Sequence, residues 1–318
     1  MVLRAQGADW QTDLSLDHWL VVWFDELFFR GFPAGDGSKA LAAIKHYIPE
    51  VSRAGRGALP RAHRAIASWA KAAPAKQRLP LPAVVLAAMI GYVMTSQWRM
   101  AQETALRSWL AFRCYLRPGE NDKLTVRMLV PPSAAAGPQY LSWGLHLHPS
   151  ECGGLPGKTG VYDEAVLVDS EARLGTLFTQ LRAGRGLDEA LWSLIAEEDI
   201  KRFGLVVEAL ALEALAPTRY GLRHAGASED LITKRRAALD VERRGRWVSD
   251  SSLRRYAKET RLQSELQKVS QTVIEFGRQV TENIEQVILG EVAIALPRDL
   301  VPPSLPRRRN KLAKRPLE

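Results

Sequence analysis

Three prolines, Pro74, Pro80 and Pro82, crowd into the stretch KAAPAKQRLPLP. Proline has no backbone N–H to donate and holds φ near −65°, so no helix runs through a span punctuated this way. Such a span behaves as a stiff, extended connection between two folded pieces. The 318 residues leave room for two domains of roughly 100–200 residues each. We therefore read residues 1–73 as one module, 74–82 as a basic linker and the remainder as a second, larger module.

The first module reads as helical. In LDHWLVVWFDELFF the residues Leu16, Leu20, Trp23, Phe24 and Leu27 recur at spacings of three and four, the period of an amphipathic helix. SKALAAIKHYI and RAHRAIASWAKAA follow as two shorter helical pieces. The second module opens with helical segments at 83–97 and 99–115. Short strand candidates come next, LTVRMLV, LSWGLHLH and AVLVD, each bounded by Pro, Gly or Asp. Helix is expected again over 171–182, 187–214, 220–232, 236–244 and from 250 onward. The fold class is mainly α with a small antiparallel β-sheet. Toward the end, Leu262, Leu266, Val269, Val273, Phe276, Val280 and Val287 form a seam with Asn283 in it. Such a seam packs either on its own domain or on a neighbouring copy. Residues 291–318, ending in PRRRNKLAKRPLE, form a basic tail whose composition suits disorder.

Charge points to the class of partner. Lys and Arg number 44 and Asp and Glu 35, so 44 − 35 gives +9. That excess favours a polyanion, nucleic acid first. Two cysteines, Cys114 and Cys152, provide no disulfide framework, which fits a reducing, intracellular setting. The N-terminal residues lack the apolar core of a signal peptide. The most apolar run, AVVLAAMIGYVM, is shorter than the roughly 20 residues a membrane span needs. No membrane and no small-molecule substrate is expected.

The chemistry-bearing residues lie in YGLRHAGAS and GRWVSDSSLRRY. Breaking a nucleic-acid backbone without a metal requires a nucleophile, cations on the non-bridging oxygens and an acid for the departing oxygen. Tyrosine conserves the bond energy as an ester, arginine's planar fork matches two phosphate oxygens, and lysine suits the acid role. The two segments resemble the second and third boxes of the tyrosine recombinases, the phage-integrase family. Tyr256 follows Trp247 by 256 − 247 = 9 residues and Arg223 by 256 − 223 = 33. Upstream, YLRPGENDKL resembles the first box through Arg117, Glu120 and Leu124. GKTGVYDEAVLVD resembles the hairpin that carries the family's lysine, here Lys158.

The resemblance implies a helical core-binding domain at 1–73 and an α/β catalytic domain at 83–290. It implies a DNA strand-cleaving and rejoining enzyme that needs no cofactor. Tyr256 would attack the scissile phosphate, leaving a 3′-phosphotyrosyl link. Arg117 and Arg223 would hold the non-bridging oxygens and Lys158 would protonate the 5′-oxygen. Trp247 would pack beside the phosphate, and Glu120 would orient the arginine or its helix. Lys71, Lys76 and Arg78 would contact the backbone of double-stranded DNA. Strand exchange implies a homotetramer on DNA, with the C-terminal helix as the contact between copies. The compartment would be the nucleus in a eukaryote, or the cytoplasm and nucleoid in a bacterium.

Box two departs from the family pattern, with Tyr220 where the first residue is usually His. A phenol with a pKa near 10 is a poor base at neutral pH, and His224 matches the box's second His. Two other readings therefore stand beside the recombinase: a catalytically decayed DNA-binding protein and a type IB topoisomerase-like enzyme. CGGLPGKTG does not complete a phosphate loop, because Cys152 stands where the pattern needs glycine. His146, His148 and Cys152 lack the second pair of ligands that a zinc site uses, so no metal is expected.

Overall fold

The computed structural model describes residues 12–52, 58–74, 80–153, 156–157, 160–169, 171–247 and 259–300. Tyr256, Lys158, Lys76 and Arg78, most of the linker and the end of the basic tail lie outside them. The chain divides into two compact units, 1–77 and 78–318. It is mainly helical, with a small antiparallel sheet of three strands.

In the first unit, α1 (Asp13–Phe29), α2 (Ala34–Tyr47) and α3 (Pro60–Ala72) enclose Leu16, Leu20, Phe24, Leu41, Leu59 and Trp69. Thr12 caps α1 by accepting the Ser15 N–H at 3.2 Å. Proline at the first position of α3 gives up only a donor that the helix could not use. Asp17, buried on α1, accepts the next two N–H groups of α3, from Arg61 at 3.0 Å and Ala62 at 2.8 Å. One carboxylate thus satisfies two orphan donors and locks two helices together. Lys71 is exposed on α3.

The second unit is organised about α4 (Ala83–Met94), in which every residue from Val85 to Val93 is buried. A helix apolar all round belongs inside a domain. It packs beside α5 (Ala101–Arg113) and α12 (Gln271–Glu282). Backbones approach closely there: a Cβ on Gly277 would lie 2.1 Å from the Val84 carbonyl oxygen, and one on Gly91 2.5 Å from Val280 Cγ2. The strands β1 (Leu129–Val130), β2 (Trp143–Leu147) and β3 (Glu164–Val168) pair in chain order, with Leu145 opposite Val166. Leu145, Leu147, Val166 and Val168 turn inward to the same core.

Three expectations change. The segment read as one helix over 187–214 becomes irregular chain followed by α8 (Ala196–Ala209). Long-range bonds claim the first part: Val126 N–H donates to the Glu189 carbonyl at 3.0 Å, Leu191 N–H to Leu124 at 2.7 Å, and Trp192 Nε1 to Asn121 at 2.7 Å. Those same bonds shorten the first strand candidate to Leu129–Val130, leaving Thr125 in a lone bridge with Ala190. The C-terminal helix is three helices, α11 (Glu259–Leu266), α12 and α13 (Ile284–Leu289), interrupted around Ser270 and at Asn283. Of its seam, Val273, Phe276, Val280 and Val287 are buried in the unit's own core. These four residues of the seam pack on their own domain.

The α4–α12 approach yields a measurable consequence. Gly277→Ala gains up to about 1 kcal/mol of helix propensity, but its methyl overlaps a carbonyl that cannot swing away. A net loss of about 1–3 kcal/mol is expected, read as a lower urea midpoint with an unchanged m value.

Candidate functional site

Arg117 sits at the N-terminus of α6 (Pro118–Asp122), one turn of helix with proline at its first position. Glu120 folds back over that turn, and its Oε2 accepts the Arg117 N–H at 2.7 Å while Oε1 accepts the Arg117 guanidinium. The spacing Arg-x-x-Glu is thus a capping arrangement in which the carboxylate also holds the side chain of the capped residue. Glu120 is 96% shielded, its side chain being 4% exposed, while Arg117 keeps 17% of its own open.

Arg223 arrives from α9 (Arg219–Ile232), whose N-cap Thr218 accepts the Gly221 N–H at 3.0 Å. Gly226 lets α9 lie directly on α5, since a Cβ there would meet the Phe112 carbonyl oxygen at 1.9 Å. That contact puts Arg223 against the turn after α5. Tyr115 adopts φ 49°, and its carbonyl accepts Arg223 Nη1 at 2.5 Å. The carbonyl of Gly245, the last residue of α10 (Ala238–Gly245), accepts Nη2. Nη1 also lies 4.0 Å from Glu120 Oε2. Arg117 and Arg223, from segments far apart in the chain, therefore meet on one carboxylate.

Trp247 lies with its ring 5.1 Å from the Arg223 guanidinium carbon and stacks on Tyr115 at 6.2 Å. Its face supports the arginine through cation–π attraction. Tyr220 and His224, one turn apart on α9, meet edge to face at 5.0 Å. Burial, with Arg246 and Arg117 adding like-charge repulsion, lowers the Arg223 pKa to about 10 against the opposing pull of Glu120. It remains a cation at neutral pH. Its side chain is only 1% exposed, so in this arrangement it is held by backbone carbonyls and reaches outward through its neighbours.

The cluster contains residues to which the sequence reading gave no role. Arg246, between the Gly and Trp of the third box, donates to Glu120 Oε2 at 2.5 Å, and its Nε lies 3.2 Å from Glu164 Oε2. His148, at the end of β2 with φ 53°, brings Nε2 to 4.0 Å from Glu120 Oε1. Gly157 borders both hairpin residues, with room for a Cβ only 3.2 Å from Glu164 Oε2 and 3.3 Å from His148 Cδ2. Lys158, its neighbour in sequence, lies outside the described residues, as does Tyr256. Arg246 was visible in GRW, but nothing in the spacing distinguishes it from the many exposed arginines of a basic chain.

Ligand atoms of Glu120, His148 and Glu164 fall within 4.8 Å of one another, a distance that suits a metal. Arg117 and Arg246 already occupy those carboxylates, and their charge opposes a cation there. A second group, His146, Glu151 and Asp163, lies in more exposed positions on the hairpin. There Asp163 bonds His146 Nε2 and the Ser150 N–H, both at 2.9 Å, the latter being the main cause of its lowered pKa.

A second ionic layer supports the first. Asp230, buried on α9, accepts the Tyr115 hydroxyl at 2.5 Å and Arg236 Nε at 2.9 Å. Arg236 also grips Asp169 through both terminal nitrogens, at 2.8 and 2.9 Å. Arg244 Nε donates to the Arg113 carbonyl at 2.9 Å. These bonds fix α10, and hence the Gly245–Trp247 stretch. Burial, followed by the hydrogen bond to Asp230, pushes the Tyr115 phenol well above its ordinary value.

No family model matches the chain, and no curated protein matches it.

Two measurements test this geometry. Glu120→Gln removes the shared counter-charge of three guanidiniums, so a loss of about 3–5 kcal/mol is expected in urea unfolding at neutral pH. Cys114 is buried, and burial raises its pKa to about 11, whereas Cys152 is exposed. A thiol reagent at pH 8 should modify one cysteine in the native protein and both in denaturant, because only a thiolate reacts.

Proposed function

We propose that this chain cleaves and rejoins DNA strands through a covalent phosphotyrosyl intermediate, as a tyrosine recombinase does. The reading is carried by one observation: Arg117 and Arg223 converge on Glu120, with the Trp247 ring against Arg223. Arg117, 17% open, would present its fork to a phosphodiester, and Arg223, held behind it by backbone carbonyls, would add its charge.

The chemistry assigned to the site is a transesterification. The Tyr256 phenolate oxygen bonds to phosphorus as the phosphorus–5′-oxygen bond breaks, and Lys158 gives a proton to the departing 5′-oxygen. Attack by a 5′-hydroxyl on the phosphotyrosine reverses the step and frees the tyrosine, so no external energy source is needed. Arg117 and Arg223 neutralise charge that grows on the non-bridging oxygens. Removing one such donor costs on the order of 10²–10³ in rate. The helical first unit, with Lys71, and the linker residues Lys76 and Arg78 would supply sequence-independent phosphate contacts, in keeping with the net charge of +9. Exchange between two duplexes requires several copies on DNA. The copies would meet through surfaces other than Val273, Phe276 and Val280, which are buried within the unit.

A suicide duplex pool of random sequence, nicked so that the cleaved end diffuses away, tests the reading. Wild type should accumulate a protein–DNA adduct stable to denaturant, and Tyr256→Phe should form none while still binding DNA. Binding without any adduct in wild type would instead mark a decayed DNA-binding protein. Relaxation of supercoils by a monomer, without pairing of two sites, would mark a topoisomerase-like enzyme.

A further inference from the structure

We infer that Arg246 is a further phosphate-binding guanidinium of this cluster, acting on the same DNA phosphodiester as Arg117 and Arg223. The inference rests on the strand-transfer reading and adds to it a residue for which the family resemblance assigns no role.

Backbone conformation is the first reason. Arg246 caps α10 with φ 51° and ψ 44°, the left-handed region. A residue with a Cβ is disfavoured there, and helices often place glycine at their C-terminal end for that reason. The strained turn aims the guanidinium inward onto Glu120, not outward to water.

Hydrogen bonding is the second. The Arg246 side chain is only 6% exposed, and its Nε, although 3.2 Å from Glu164 Oε2, is buried in an ion pair that lacks hydrogen-bond geometry. His148 Nε2, 4.0 Å from Glu120 Oε1, is likewise buried and makes no hydrogen bond. An unsatisfied buried polar atom is costly, so the two around Glu120 leave places for a ligand's hydrogen-bonding atoms.

Charge selects the ligand. Arg117, Arg223 and Arg246 carry three positive charges against two negative ones on Glu120 and Glu164. The surplus of one equals the charge of one phosphodiester. Burial lowers the Arg246 pKa, with Glu120 and Glu164 opposing. An arriving anion relieves that cost, whereas a metal cation would increase it.

The test is equilibrium binding of a short random-sequence duplex across a salt series. Arg246→Gln should reduce the slope of log K against log salt by about 0.9, the value for one lost phosphate contact. Arg246→Met, which keeps the buried stem, should do the same and serves where the Gln variant fails to fold. Arg246→Lys should restore the slope while binding more weakly than wild type, because a point charge replaces a fork. A folded Gln or Met variant with the wild-type slope would overturn the role of Arg246 and leave strand transfer standing. Absence of salt-dependent DNA binding in the wild-type chain would sink both.

Discussion

A single carboxylate, Glu120, holds this site together. A buried anion with one partner is a poor bargain, because desolvation cancels most of the attraction. Glu120 is different: it takes the Arg117 N–H and guanidinium, the Arg246 guanidinium at 2.5 Å and the charge of Arg223 at 4.0 Å. Three segments remote in sequence are pinned at that point, namely the start of α6, the first turns of α9 and the cap of α10. Any one of these guanidiniums, buried alone, would be strongly disfavoured. Together they are stable only because the carboxylate is shared, which makes the cluster a cooperative unit.

How those segments reach Glu120 is a matter of close packing. Gly226 allows α9 to touch the Phe112 carbonyl, and the left-handed turn at Tyr115 presents a carbonyl to Arg223. The Tyr115 side chain then works in the other direction. Its hydroxyl binds Asp230 and its ring stacks on Trp247. One residue therefore couples the upper ionic layer to the lower one, where Asp230, Asp169, Arg236 and Arg244 fix α10. Trp247 stays against Arg223 because the helix before it cannot shift without disturbing that layer.

The parts of this arrangement that were legible in the sequence are those with local causes. Arg117-x-x-Glu120 spans one helical turn, so its residues meet wherever the helix forms, and the apolar run at 83–97 could only be a buried helix. The three-four period of Leu16, Leu20 and Phe24 likewise named the core face of α1. What escaped has non-local causes. Residues 187–195 have helical propensity, but the Leu124–Val126 backbone offered them bonds that a local reading cannot see. The role of Arg246 depends on a left-handed cap, and that of His148 on a hairpin that delivers it beside Glu120. The seam from Leu262 to Val287 was legible as a seam, yet its partner, α4 of the same chain, was not.

The arginine cluster sits on a large core. Guanidiniums held near one another in low dielectric repel, and folding must supply the free energy that keeps them there. Proteins retain only about 5–15 kcal/mol of net stability, so such a cluster cannot stand on a small core. The α4 helix, buried on every side among α5, α12 and the sheet, is the element that offsets it. A pocket assembled in advance by that core spends nothing on reorganisation when charge develops on a bound phosphate, which is the condition for strong electrostatic stabilisation. On the proposed reading, ground-state repulsion among Arg117, Arg223 and Arg246 and affinity for a phosphodiester would be two expressions of one property. A chain that relaxed the first by solvating its arginines would also weaken the second.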